Sequence, residues 1–208
     1  MAARQHNWFE GWRLFAVLTV TLIALSIWIA AMRQFEVEGV RMVIRFTART
    51  SLLFFCLAFS AAALARLWPN AWTRWQRRNR RYLGVSFAVS HFIHLGALIA
   101  LAKVDQDLFW KLTTLANIFL AGAAYVFLAA MTATSFDGAA AWLGRRHWRL
   151  LHLLGGWYIW ISFAVAIGKR LPQGPIYWAM MALLLAAGIV RLVAMARRNR
   201  RGSTLSAA

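Results

Sequence analysis

Cysteine and acid are what this 208-residue sequence has least of. Cys56 is its only cysteine, which excludes a disulfide framework or a cluster held by several thiolates within one chain. Asp and Glu number 6 against 24 Lys and Arg, and no acid stands inside a long apolar run. A carboxylate proton relay through such a run is therefore not expected. Other signatures are missing as well. There is no GxGxxG or Walker pattern, nothing resembling a Ser-His-Asp constellation, and no internal repeat.

What is present is apolar. Hydrophobic residues make up 62% of the chain and charged ones 14%, pushed mostly to the ends of apolar runs. That balance predicts an all-α polytopic membrane protein, a six-helix bundle with no room for a second sizeable domain. The runs are Leu14–Met32, Val43–Ala65, Tyr82–Ala102, Leu112–Ser135, Leu150–Gly168 and Leu171–Val190. Lys169-Arg170 and then Pro172, Gly174 and Pro175 break the chain between the last two. Residues 1–13 read as a cytoplasmic N-terminal segment, 14–196 as the transmembrane domain, and 197–208 as a basic, disordered cytoplasmic tail. The first run has no clear cleavage site and reads as an uncleaved helix.

The net charge of +18 is explained by basic loops that orient membrane helices and meet anionic lipid, so nucleic acid is not an expected partner. Twice as many of the 24 basic residues fall on the side of the two termini as on the other, which predicts both termini in the cytoplasm. Trp68, Trp72, Trp75, Trp110, Trp142, Trp148 and Trp178 cluster near run ends, as an aromatic belt does.

Three histidines interrupt this pattern. His91 and His94 lie within the third run, and His152 lies near the head of the fifth. Ionisable groups inside a bilayer are costly and mark functional sites. A lone histidine there reads first as an interhelical contact. A pair answered by a third histidine in another span points to ligation of haem iron by neutral imidazole. Three residues apart, His91 and His94 sit about 60° apart around a helix and about 4.5 Å apart along it, so one can bind iron while the other orients a ligand. Gly156 is one turn beyond His152, where a missing side chain suits either a flat porphyrin or close helix packing through Gly155-Gly156. His147 reads as interfacial, and His6 carries no signal. Arg41, Arg45 and Arg49 form a basic stripe suited to haem propionates or to lipid headgroups.

Longer motifs carry a resemblance. Arg77-Arg78-Asn79-Arg80-Arg81-Tyr82-Leu83-Gly84 followed by His94 resembles the third helix of ferric-reductase-like transmembrane domains. Leu143-Gly144-Arg145-Arg146-His147-Trp148-Arg149-Leu150-Leu151-His152 resembles the start of that family's fifth helix, and Arg45 to Arg49 the start of its second. Size and layout are similar to its short bacterial haem-binding members, among them the membrane subunit of the periplasmic methionine sulfoxide reductase system. The resemblance implies axial ligands at His94 and His152, with His91 as the alternative. It implies haem b and a place in a bacterial inner membrane as the haem-binding subunit of an oxidoreductase. Relatives carry a further histidine where Ala164 and Val165 stand here, so one haem is expected, with His91 leaving a second site open. The chain ends soon after the sixth run, so electrons must come from a separate flavin reductase or from quinol and pass to ferric iron or a periplasmic partner. The rival expectation is a non-redox transporter or assembly factor whose histidines are interhelical contacts.

Overall fold

Long apolar runs leave backbone groups with no partner but their own helix, and the chain folds accordingly. The computed structural model describes residues 9–206, with side chains through 198; His6 lies outside the described residues. Its helices are α1 (Gly11–Ala31), α2 (Val37–Leu67), α3 (Ala71–Arg78), α4 (Arg80–Val104), α5 (Gln106–Leu112), α6 (Leu115–Ala133), α7 (Asp137–Leu143), α8 (Arg145–Gly168) and α9 (Pro175–Ser206). Six of them, α1, α2, α4, α6, α8 and α9, are long and apolar enough to cross a membrane. The protein is an all-α six-helix membrane bundle, as the run lengths predict.

Several boundaries differ, each for a local reason. α2 starts at Val37 rather than Val43, because Glu38 accepts from Arg41 at 2.9 Å and from Arg45 at 3.2 Å and offsets charge in the first turns. The fourth run begins at Leu115 rather than Leu112. Thr113 and Thr114 are extended, and the Thr114 hydroxyl caps α6 by accepting from the Asn117 N–H at 3.3 Å. Residues before it form the separate α5, capped by Asp105. The sixth helix begins at Pro175, whose fixed φ suits a first helical position, after a 3-10 turn over Leu171–Gln173. The backbone of α9 runs on as helix through Ser206, across most of the stretch expected as tail, and residues 207–208 lie outside the described residues.

α2 is the centre of the bundle, packed most extensively on α4 and then on α9, α3 and α1. α8 rests on α6 and α9. The two histidine-bearing helices, α4 and α8, meet through aromatic side chains, with Phe163 of α8 6.1 Å from Phe87 and 5.6 Å from His91 of α4. Aromatic rings of α2 fill in between: Phe55 lies 5.4 Å from both Phe87 of α4 and Phe163 of α8, and Phe59 meets Trp157 at 5.2 Å.

One end of the bundle is tied by polar contacts. The Gly11 N–H donates to Asn79 Oδ1 at 2.9 Å, Trp75 Nε1 donates to the Phe9 carbonyl at 2.8 Å, and Arg66 donates to the Ala194 carbonyl at 3.4 Å. The start of α1, the α2–α4 connection and the late part of α9 therefore share this end. Within that connection Asn70 and Thr73 form a reciprocal cap on α3, and Gln76 is fully buried, donating to the Leu57 carbonyl at 2.8 Å. These bonds fix α3 as a rigid cross-piece.

Candidate cofactor site

α4 presents His91 and His94 one above the other, their rings 5.5 Å apart and nearly parallel at 10°. His94 faces α2. Its Nδ1 lies 3.0 Å from Thr47 Oγ1 and 3.1 Å from the Ile44 carbonyl. A carbonyl only accepts, so Nδ1 carries the proton and the Nε2 lone pair is left uncommitted. Thr47 belongs to a hydroxyl seam between α2 and α4. Ser90 Oγ is 2.8 Å from Thr50 Oγ1, accepts from Ser51 Oγ at 3.0 Å and donates to the Thr47 carbonyl at 3.2 Å.

His91 points into the aromatic layer. Its ring stacks on Tyr125 of α6 at 4.8 Å and lies 5.3 Å from Phe87 and 5.6 Å from Phe163. The Tyr125 hydroxyl donates to the His91 carbonyl at 3.0 Å, while His91 Nδ1 is buried with no hydrogen-bond partner. A buried imidazole nitrogen without a partner is costly and is a natural ligand position.

His152 is held differently. Its ring stacks on Trp148 at 4.2 Å, and its Nε2 lies 3.3 Å from Thr134 Oγ1 at the end of α6. That hydroxyl gives its own proton to the Ala130 carbonyl at 2.8 Å, so Nε2 is the donor and Nδ1 carries the lone pair. The structure thus brings His91 and His94 together and sets His152 apart, beyond the aromatic layer. His147 is exposed, as an interfacial residue should be.

Both glycines lie against side chains. Gly155 is a packing residue: an added Cβ would come within 2.6 Å of Met131 Sδ and 3.1 Å of Phe127 on α6. A Cβ added at Gly156 would lie 3.4 Å from the Phe59 ring and 3.7 Å from the Arg191 guanidinium, so side chains rather than open space cover it. Arg45 is engaged by Glu38, and Arg49 is exposed on the same helix.

Arg191 is the residue the sequence pattern undervalued. It lies on α9 with its guanidinium 4.1 Å from the centre of the Phe59 ring and 5.7 Å from that of Trp157, and it donates to the Phe59 carbonyl at 3.4 Å. Among the described residues it has no carboxylate partner. Its position at the end of an apolar run was the available signal. Tyr125 gave no such signal, since a tyrosine in an apolar helix is ordinary packing.

Fold and site together define a six-span helical membrane protein with a histidine pair on one span and a third histidine across an aromatic layer. Compared with family models, with curated proteins and with solved structures, the chain matches none. Among the described residues no three His, Cys, Asp or Glu side chains gather as a metal-ion site, a grouping that haem ligation by one or two imidazoles does not require.

Proposed function

We propose that this protein is a haem b-binding electron carrier of the ferric-reductase-like class, the membrane subunit of an oxidoreductase. The observation that supports this most is His94: a buried imidazole whose Nδ1–H is taken by the Ile44 carbonyl beside Thr47, with Nε2 left as a ligand atom. Such a bond on the far nitrogen fixes the tautomer and orients the ring of an iron ligand. When bound, haem would supply one-electron chemistry. His94 would hold it from α4, and His152 from α8 after its ring turns away from Thr134. The unpartnered His91 Nδ1 makes His91 the neighbouring donor or the alternative ligand. Arg191, lacking a carboxylate, is suited to a propionate, as are Arg45 and Arg49 at the opposite end of α2. The electron donor in this reading is a separate flavin reductase or quinol, and the acceptor ferric iron or a periplasmic partner.

A second reading takes the histidines as interhelical contacts in a non-redox transporter or assembly factor. The His152–Thr134 and His94–Thr47 contacts favour it, since such bonds contribute on average about 0.6 kcal/mol between membrane helices. The absorbance spectrum of the purified protein separates the two. The haem reading expects a red protein with a reduced b-type spectrum, and a colourless preparation from haem-replete cells would overturn it.

The charge asymmetry supports an orientation with the end that carries α3 in the cytoplasm, and this reading sets the bundle in a bacterial inner membrane. Cys56 is buried, so background thiol labelling is low. In intact cells Trp72→Cys, on exposed α3, should resist a membrane-impermeant thiol reagent, and Val104→Cys, exposed at the other end, should react. The reverse pattern would invert the orientation.

A further inference from the structure

A recess of about 500 Å³ opens at the end of the bundle that carries the α2–α4 connection, lined by Ala62 and five arginines: Arg66, Arg77, Arg78, Arg80 and Arg81. We infer that this recess is a binding site for a phosphoryl anion, presented by the headgroup of an anionic lipid.

The charge balance is the first ground. Among the described residues, two carboxylates reach the lining arginines. Glu10 pairs with Arg78 at 2.9 Å, and Asp137 pairs with Arg81 at 2.9 Å. Arg66 makes one long bond to the Ala194 carbonyl, while Arg77 and Arg80 meet no acceptor among the described residues. Gathered guanidinium groups repel one another, and an anion between them relieves that repulsion.

Unmet hydrogen bonding is the second. Arg81 Nε is buried without a partner although the same side chain already pairs with Asp137. The lining cations are all arginine, whose planar fork matches phosphate oxygens in a way lysine does not. The frame is also preformed. Asn79, between Arg78 and Arg80, is buried and bonded to the Gly11 N–H and to the Trp75 carbonyl, so the α3–α4 joint does not need to order on binding.

Depth assigns the source of the phosphate. Trp68 and Trp72 are exposed beside the recess, and Trp72 stacks on Trp75 at 4.8 Å. Tryptophans of this kind settle at the headgroup level of a bilayer, and polybasic segments there attract anionic lipid. The site stands independently of haem.

The test uses the full chain in neutral detergent. Thermal unfolding is followed with added phosphatidylglycerol, phosphatidylcholine or inorganic phosphate, and native mass spectrometry counts retained lipid. Phosphatidylglycerol should raise Tm by about 5 °C at saturation, and phosphatidylcholine should not. R77Q/R80Q, which removes no side-chain hydrogen bond or ion pair among the described residues, should lose that rise and the retained anionic lipid. R145Q/R146Q, exposed and outside the recess, should keep both. If R77Q/R80Q fails to fold, R66Q serves in its place, with the same loss expected. A full response in the recess variant, or an equal response to phosphatidylcholine, overturns the site. A response to inorganic phosphate alone overturns the lipid as its source.

Discussion

His94→Ala is expected to empty the haem site. The substitution removes the imidazole whose Nδ1 is already satisfied by Ile44, and the reduced b-type absorbance of the purified protein should fall to about a tenth or less of that of the parent protein, because losing one axial ligand leaves the cofactor weakly held through purification. His152→Ala should do the same. His91→Ala should retain haem and shift its midpoint potential, because His91 acts on the ligand's surroundings. Thr47→Val is the control for the seam. It removes one hydroxyl beside His94 but leaves the Ile44 carbonyl in place, so haem should remain. Full occupancy with an unshifted spectrum in both His94→Ala and His152→Ala would sink the ligand assignment. A colourless His91→Ala beside a six-coordinate His94→Ala would move the ligand one turn along α4.

Gly155→Leu should separate α6 from α8. A single Cβ there already meets Met131 Sδ at 2.6 Å and Phe127 at 3.1 Å, and a leucine has nowhere to go without shifting both. Overpacking of this kind costs about 1–3 kcal/mol. In detergent that corresponds to a fall in Tm of roughly 3–10 °C. Tyr158, whose hydroxyl donates to the Leu120 carbonyl, and Trp148, whose indole donates to the Thr134 carbonyl, would lose registry with α6 as it moves. An unchanged Tm would show that the interface accommodates bulk and that Gly155 is not what lets the helices approach.

The six spans were legible because twenty or so apolar residues in a row have few alternatives in a bilayer. Their ends were less legible. Glu38 neutralises Arg41 and Arg45 and lets α2 begin early, an effect that run length alone does not register. The histidine positions were legible from the cost of burying them. Their orientations were not: nothing in the spacing of His152 said that its Nε2 would face Thr134, a contact made by a loop-proximal threonine eighteen residues away. The hydroxyl seam was legible in principle, since Thr47, Thr50 and Ser51 share one helical face and Ser90 stands one turn from His94. Arg191 shows the limit from the other side: its unpaired charge emerges only once α9 is laid against Phe59.

That seam also dictates how α2 and α4 can meet. Thr47 and Thr50 have fallback acceptors in the carbonyls of their own helix. Ser51, Ser90 and His94 instead bond across the interface. Sliding α4 by a single turn, about 5.4 Å, would break all of these cross-interface bonds, turn Ser51 and Ser90 back to carbonyls of their own helices, and leave the buried His94 Nδ1–H unmet at about 1–3 kcal/mol. The seam therefore favours this one alignment, and a ratchet-like translation of one helix past the other works against it.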